Sequence, residues 1–275
     1  GRPFILQGMK RVYEALLREH LAMFPCVALV GARQCGKTTL LHTLGPEWRY
    51  FDLERADDLE LIQHDPDLFL RLNDNQVAID EAQLLPSLFT ALRVAVDADR
   101  GRKGRFVLTG SSSPELVRAL SESLAGRLAV IEMSPLMWAE SQGHGISPLI
   151  KQLAGGATDT ERLIEHAAPR SSLQAAHDYW FQGGYPEPWL STDPLFKERW
   201  ADQYTRAYLD RDIARLFPAL DRTRFRTFLR MLGSLSGDVL NFAQIARALG
   251  ISQPTARDYI EIAHGTFVWR RLPAY

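Results

Sequence analysis

The chain has 275 residues, and its 33 acidic and 32 basic side chains leave a net charge of −1, so charge alone predicts neither a nucleic-acid nor an anionic-membrane partner. The two cysteines exclude a disulfide framework and favour a reducing compartment, so we expect a cytoplasmic protein. We find no apolar run of about 18 residues and no secretory leader, so we predict no membrane span.

The first half of the chain alternates helices with short apolar strands. An amphipathic helix from Met9 to His20 precedes a strand that ends at Val30. Four more apolar runs follow, each separated from the next by a helical stretch: Arg49–Leu53, Gln76–Asp80, Arg105–Thr109 and Leu128–Met133. This alternation predicts an α/β fold with a five-stranded, mostly parallel sheet that has helices on both faces.

The pattern changes beyond Pro135. Residues 141–172 are rich in Gly, Ser, Thr and Ala, which predicts an insertion or linker. Helical periodicity returns at Leu173 and predicts one long helix over Lys197–Phe217. We therefore predict an α/β core over residues 1–135, an insertion and helical lid region over 136–220, and a final unit over 221–275.

The strongest chemical motif is Gly-x-x-x-x-Gly-Lys-Thr, which begins at Gly31 directly after the first strand. Its two glycines let the backbone curl so that successive N–H groups point at phosphate oxygens. Lys37 then reaches the β and γ phosphates, and the Thr38 hydroxyl is a ligand for Mg²⁺. The motif predicts an ATP site whose binding residues are Gly31, Ala32, Gln34, Cys35, Gly36, Lys37, Thr38 and Thr39.

Two carboxylates, Asp80 and Glu81, follow the apolar run of the third predicted strand. We expect Asp80 to hold the metal with Thr38, and Glu81 to orient and deprotonate an attacking water. Two acids with different roles favour hydrolysis over a small-molecule kinase, for which the chain shows no acceptor motif.

Two further positions are candidates for contact with the γ phosphate. Thr109 or Ser111, at the end of the fourth strand, has a hydroxyl that would sense the phosphate or position the water, while Ser113 alternatively caps the next helix. Arg127 precedes the last strand, and an arginine there would stabilise charge on the γ oxygens in its own subunit or in a neighbouring one. The alternative for Arg127 is a surface or structural ion pair.

The end of the chain has the pattern of a helix-turn-helix. Asn241 caps a first helix, Gly250 makes the turn, and Ser252 caps a second helix. Residues 266–272 are expected to begin the β wing of a winged helix. If this unit binds DNA, the residues that point into the major groove are Gln253, Thr255 and Arg257.

A basic stripe lies just before the helix-turn-helix. Arg222, Arg226 and Arg230 recur at every fourth position of an amphipathic helix, and Arg226 is our candidate for contact with the DNA backbone. The alternative is the solvated face of a helix that packs on the core, and winged helices also serve as packing modules.

These motifs together resemble a prokaryotic family of AAA-type P-loop ATPases. Its members add a winged helix and a C-terminal domain of unknown function that resembles restriction endonucleases, and we do not expect that last domain within these 275 residues. The resembling segments are Gly31–Leu40, Phe51–Glu54, Ile79–Gln83, Leu108–Ser112, Ser123–Arg127, Ser134–Leu136, Gly183–Glu187 and Arg211–Ile213.

The resemblance implies a P-loop sheet in which the Ser111 strand lies between the Lys37 and Asp80 strands, and it implies assembly into a homo-oligomer. One departure is the Thr or Ser at the position where better-studied relatives carry Asn. We expect Mg²⁺-dependent ATP hydrolysis that moves the helical and winged-helix parts. The alternative is a DNA-binding regulator that ATP switches and in which hydrolysis is slow or incidental.

Overall fold

The computed structural model describes residues 10–111, 124–156, 159–168 and 170–272. The chain forms two compact units, of which the first ends at Thr192 and the second begins at Asp193. This division falls inside the segment 136–220 that the sequence assigns to a lid region, and the predicted three-part division stays a prediction.

The first unit contains a five-stranded parallel sheet, as the sequence predicts. The strands are β1 (Cys26–Gly31), β2 (Arg49–Asp52), β3 (Val77–Asp80), β4 (Phe106–Ser111) and β5 (Leu128–Met133). They lie in the order β2-β3-β4-β1-β5, and every adjacent pair is parallel. The position of β4 between β1 and β3 confirms the order that the resemblance implies.

The centre of this sheet is covered on both faces. All six residues of β1 and all four residues of β3 are buried, although successive side chains of a strand point to opposite faces. Buried strands of this kind belong to α/β folds with helices on each side of the sheet. Because all five strands run in one direction, the polar residues that follow them meet at one edge.

Ten α-helices surround or follow the sheet within the described part of the first unit. They are α1 (Val12–Met23), α2 (Lys37–Leu41), α3 (Ala56–His64), α4 (Pro66–Leu72), α5 (Ser87–Ala98), α6 (Trp138–Ser141), α7 (Pro148–Ala154), α8 (Thr160–His166), α9 (Leu173–Gln182) and α10 (Pro186–Leu190). Helix α1 contacts β1 and β5, and α2 contacts β1 and β4. Helix α1 begins at Val12 because the backbone of Arg11 is extended.

The second unit is helical in the residues that the structure describes. Its elements are α11 (Pro194–Ala207), a π-helical segment (Tyr208–Ile213), α12 (Ala214–Leu216), α13 (Arg222–Ser234), α14 (Phe242–Leu249) and α15 (Gln253–Gly265). The single helix predicted over Lys197–Phe217 therefore contains a π-helical turn. Three residues of that turn, Tyr208, Leu209 and Ile213, are buried in the core of this unit, and the change in helical register turns them to one side.

Helices α13, α14 and α15 form what we call the three-helix unit. Phe225 and Phe228 of α13 pack against Tyr259 of α15, with ring centroids 5.2 and 5.4 Å apart. Asn241 accepts a hydrogen bond from the amide of Gln244, and Ser252 accepts one from the amide of Thr255. These two caps and the intervening turn give the helix, glycine turn and helix that the sequence predicts, while their assignment to a DNA-binding helix-turn-helix stays a prediction.

The turn between α14 and α15 depends on Gly250. Its backbone is left-handed, with φ at +63°, which glycine adopts without the steric cost of a Cβ atom. A helix that ends in this way can be followed at once by a second helix at a steep angle.

Residues 266–272 form turns, bends and irregular backbone, so the strand that would begin the predicted β wing is not found within these residues. The backbone amides of Val268 and Trp269 both donate to the carbonyl of Ala263, so the chain folds back onto the end of α15. The Thr266 hydroxyl reinforces this turn by donating to the carbonyl of Ile262. Amides used in this way are not available for a strand.

Within the described residues, the helices are all too short or too polar to cross a bilayer.

Candidate nucleotide-binding site

The phosphate loop, residues 32–36, connects β1 to α2 at the carboxyl edge of the sheet. Gln34 and Gly36 have φ angles of +58° and +101°, so the backbone turns sharply between the two elements. A Cβ atom on Gly31 would collide with the carbonyl oxygen of Met133 on the neighbouring strand β5. The first glycine of the motif is therefore required by the packing of the sheet as well as by the turn.

Lys37 folds back over the phosphate loop. Its ammonium group donates to the carbonyls of Gly31 and Ala32, both at 2.9 Å, and the residue is only 5% exposed. An ammonium group has three N–H donors, so these two bonds leave one donor for a phosphate oxygen. Because α2 has only five residues, we expect the loop amides and Lys37 to contribute more to phosphate binding than the helix dipole.

The Asp80 carboxylate is the centre of the site. Its Oδ2 atom accepts hydrogen bonds from the Thr38 hydroxyl at 2.6 Å and from the Tyr50 hydroxyl at 2.8 Å. Its Oδ1 atom accepts a bond from the Thr109 hydroxyl. Asp80 and Thr109 are 3% and 1% exposed. The structure thus brings together Thr38 and Asp80, which the sequence predicts as neighbours.

Tyr50 is a site residue that the sequence analysis missed. It lies on β2 opposite Ala78 of β3, and this register carries its hydroxyl to Asp80. Burial raises the pKa of Tyr50 well above its ordinary value, and the negative charge of Asp80 raises it further. The phenol therefore remains a hydrogen-bond donor at neutral pH. In the sequence, only the expectation that β2 and β3 are parallel neighbours could have pointed to Tyr50 as a partner of Asp80.

Glu81 has a left-handed backbone, with φ at +54°, which is uncommon for a residue other than glycine. Its amide donates to the Asp80 carboxylate and the Thr109 hydroxyl, each at 3.2 Å. Its side chain is partly exposed and accepts a hydrogen bond from the Gln83 side-chain amide. Because Glu81 directly follows Asp80 at the end of β3, it lies at the same edge of the sheet as Asp80.

Cys35 contributes its backbone to the phosphate loop. Its side chain is buried, and burial raises the pKa of the thiol. The side chain is therefore a neutral, packed group at physiological pH.

The donors at this edge fit a magnesium ion. Thr38 and Asp80 offer a hydroxyl and a carboxylate oxygen 2.6 Å apart, next to the phosphate loop. Mg²⁺ prefers hard oxygen ligands and is held in phosphate sites by one or two carboxylates together with substrate phosphates. The residues present match that donor set.

Arg127 does not lie at the phosphate edge of its own sheet. It precedes Leu128, which pairs with Cys26 at the start of β1, whereas Gly31 pairs with Met133 at the other end. Five residues of strand, about 17 Å, separate these two edges. The Arg127 guanidinium instead holds Asp97 through bonds of 2.7 and 2.9 Å and lowers the pKa of Asp97 to about 2. Within one chain, Arg127 therefore forms an ion pair, which is the alternative role that the sequence left open.

The side chain of Ser111 and residues 112–123 lie outside the described residues, so a role for Ser111 stays a prediction. The backbone of Ser111 pairs with Gly31, which places the end of β4 next to the phosphate loop. Thr109, the other sensor candidate, is engaged with Asp80 and Glu81 rather than exposed.

Comparison with known proteins agrees with this geometry. Residues 23–142 match the family described as "AAA domain", and residues 173–275 match one described as "Domain of unknown function (DUF8612)". The Walker-type ATPase PABY2304 of Pyrococcus abyssi superimposes with a TM-score of 0.55 at 15% sequence identity. That superposition covers 94% of this chain and 89% of the other.

Two curated relatives are the uncharacterized proteins Rv2008c of Mycobacterium tuberculosis and Mb2031c of Mycobacterium bovis. Each is 34% identical over 266 residues, or 96% of this chain. The chain spans 53% of the length of each relative.

The sheet order, the phosphate loop and the Asp80-Glu81 pair define a P-loop nucleotide-binding domain. More narrowly, residues 23–142 match the AAA domain family, which agrees with the resemblance of the sequence motifs to the AAA-type P-loop ATPases.

Proposed function

We propose that the protein binds ATP with Mg²⁺ at the phosphate loop and hydrolyses it to ADP and phosphate. The observation that carries the proposal is the Thr38–Asp80 hydrogen bond with Glu81 beside it, because it joins a phosphate-binding element to a carboxylate suited to activating water.

Each group has a separate role in the proposed reaction. Loop amides and Lys37 hold the β and γ phosphates and offset the charge that spreads over the γ oxygens. Glu81 takes a proton from a water molecule as its oxygen bonds to the γ phosphorus, and the bond from that phosphorus to the ADP oxygen breaks. Thr38 and Asp80 would hold Mg²⁺, which supplies further stabilisation of phosphate charge.

The test is Glu81→Gln, which keeps the shape of the side chain and removes the base. We expect steady-state hydrolysis to fall by about 100-fold or more, the usual contribution of a general base, while ATP still binds. Glu60→Gln, on the exposed surface of α3, is the matched control and is expected to hydrolyse ATP normally. Unchanged turnover in Glu81→Gln would exclude the proposed mechanism.

Hydrolysis is proposed to move the helical regions, including the three-helix unit, and to take place in a homo-oligomer. Both proposals follow from the AAA-type domain rather than from a described contact. Measuring the particle mass in solution with and without ATP tests the second of them directly.

A second candidate function is an ATP-switched DNA-binding regulator. The favouring observation is the charge of the chain from residue 221 onward, which has eight arginines, no lysine and four acidic residues. Arg226 and Arg230 are exposed on the side of α13 away from the buried Phe225 and Phe228. Gln253 and Arg257 are exposed near the start of α15, and Thr255 is partly exposed.

Arg257 has a defined partner that limits its role. Its guanidinium lies 4.6 Å from the centre of the Phe242 ring, so it is stacked on α14. Asp258 and Glu261 share the exposed side of the same helix. Any contact with DNA would therefore rest more on Arg226 and Arg230 than on the predicted recognition helix.

Anisotropy of a labelled DNA duplex tests this candidate. Arg226→Gln with Arg230→Gln should weaken binding and reduce the slope of log affinity against log salt, by about 0.9 for each phosphate that an arginine no longer neutralises. Arg199→Gln, exposed on α11, is the control. Binding that responds neither to salt nor to nucleotide would rule this candidate out.

A further inference from the structure

Arg11 is a buried arginine that bonds directly to the phosphate loop. It is 7% exposed, and its NH1 group donates to the carbonyl of Cys35 at 2.7 Å. Its NH2 group donates to the carbonyls of Ser134 at 2.8 Å and Pro135 at 3.3 Å, in the turn that follows β5. One guanidinium group thus links the phosphate loop to a segment about a hundred residues further along the chain.

Glu140 holds Arg11 in place. Its side chain is buried, and its Oε1 atom accepts from the Nε of Arg11 at 3.1 Å and from the amide of Val12 at 2.7 Å. Its Oε2 atom accepts from the amide of Met137 at 2.9 Å. We call this Arg11–Glu140 pair, with its backbone partners, the latch. Both charges in the latch are paired and hydrogen-bonded, which is the condition for burying an ion pair at acceptable cost.

The latch fixes the orientation of a phosphate-loop peptide. In a trans peptide the C=O and the following N–H point in opposite directions. Because the Cys35 carbonyl points at Arg11, the amide of Gly36 points away from Arg11. A phosphate loop works only when successive amides converge on one anion, so a peptide that is free to rotate removes a donor.

We infer that Arg11, held by Glu140, is a positioning residue that keeps the phosphate loop in its ATP-binding conformation before ATP arrives. The inference rests on the proposed function, since it assumes that this loop binds ATP. Binding to a loop already ordered avoids the entropic cost of ordering it. Arginine suits the role because its planar group reaches three carbonyls and a carboxylate at once, which lysine cannot do.

The experiment measures the affinity of the whole chain for a fluorescent N-methylanthraniloyl-ATP in the presence of Mg²⁺, together with the thermal midpoint of unfolding. Arg11→Met removes the donors but leaves Glu140 buried without its cation, which by itself destabilises the fold. Arg11→Met with Glu140→Gln removes both charges and recovers part of that stability. Arg105→Met is the matched control, because Arg105 is also buried and donates to two carbonyls, those of Asp74 and Ala95.

Arg105 lies at the amino end of β4, away from the phosphate loop. We expect its replacement to lower the midpoint and leave nucleotide affinity unchanged. Both Arg11 variants should lose affinity by about tenfold or more, the equivalent of one charge-assisted hydrogen bond. The KM for ATP should rise with the loss of affinity while kcat at saturating ATP changes far less.

Two outcomes overturn the inference: affinity in both Arg11 variants equal to that of Arg105→Met, or affinity in the double variant that returns together with stability. A failure of the proposed function looks different. In that case the protein without substitutions and Lys37→Ala bind the nucleotide equally weakly. The Arg11 and Arg105 variants then cannot differ in nucleotide affinity, because there is no specific binding for either to weaken.

Discussion

Three hydroxyl groups converge on the Asp80 carboxylate, and each comes from a different element. Thr38 is on α2, Tyr50 on β2 and Thr109 on β4. A carboxylate held from three directions has little freedom to rotate, so it presents the same face to a metal in every molecule. The precision of the site therefore depends in part on Tyr50 and Thr109, which lie outside the phosphate loop.

Tyr50→Phe tests this dependence. Outer partners of metal ligands are commonly worth 10- to 100-fold in metal affinity, so we expect the Mg²⁺ concentration for half-maximal hydrolysis to rise by about tenfold. Tyr208→Phe is the control, because it removes a buried hydroxyl that is hydrogen-bonded to Thr266 in the second unit. Equal Mg²⁺ requirements in the two variants would show that Tyr50 only supports the fold.

Sequence spacing is sufficient to predict Lys37, Thr38, Asp80 and Glu81 as site residues, because short local motifs contain them, and the structure brings Thr38 and Asp80 together. It could not find Tyr50 or Arg11. Tyr50 reaches the site through the register of two strands, and Arg11 through hydrogen bonds to carbonyls that any residue carries. For Arg127 the sequence left two roles open, and the structure shows the ion pair with Asp97 within one chain, while the role at a neighbouring subunit stays a prediction.

At the scale of elements, the turn after β5 is fastened on two sides. On one side, Ser134 and Pro135 accept from Arg11. On the other, the Leu136 amide donates to the Gly184 carbonyl at 2.6 Å, and the Leu136 carbonyl accepts from the Tyr179 hydroxyl at 2.7 Å. The segment after α9 and the phosphate loop are therefore both attached to this turn, the loop through Arg11.

Gly184→Ala should loosen that attachment. A Cβ atom at Gly184 would collide with the Leu136 carbonyl oxygen, and the backbone there cannot yield as a side chain would. We expect a loss of about 1–3 kcal/mol in the free energy of unfolding, the usual cost of overpacking. Gly145→Ala is the control, since a Cβ there meets no atom within 4 Å. Equal thermal midpoints for the two variants would contradict this account.

The bounds of the strands followed from apolar runs to within a residue or two, because each run is short and buried. The π-helical turn at Tyr208–Ile213 and the absence of a strand over residues 266–272 did not follow from the sequence. In the first, burial of Tyr208 and Leu209 in the core of the second unit decides the backbone, and a sequence pattern does not reveal that contact. In the second, a local turn decides it, because the amides of Val268 and Trp269 share the Ala263 carbonyl.

At the scale of the whole molecule, the position of Arg127 decides how a shared site could work. Because Arg127 lies at the amino edge of its sheet, its own phosphate loop is out of its reach, and Arg127 could act at a phosphate loop only in a second copy. The predicted catalytic role of Arg127 therefore requires the predicted homo-oligomer.

Mixing two inactive variants tests the pair of proposals. Arg127→Ala and Lys37→Ala protein, combined, should hydrolyse ATP faster than the sum of the two alone, because mixed interfaces contain one intact site. Asp97→Asn is the control, since it removes the ion-pair partner and keeps the arginine. If Asp97→Asn loses as much activity as Arg127→Ala, the ion pair matters to the fold and the arginine has no separate role. Absence of rescue would count against sharing.

The burial of Cys35 has a consequence for how the protein would respond to oxidants. Peroxide attacks the thiolate rather than the thiol, and an accessible, easily ionised cysteine in a nucleotide site is a common point of inactivation. Cys35 is neither accessible nor easily ionised. Its sulfur is buried, and its carbonyl accepts the hydrogen bond from Arg11. We therefore expect the nucleotide affinity of the protein to be unchanged by peroxide treatment at this residue.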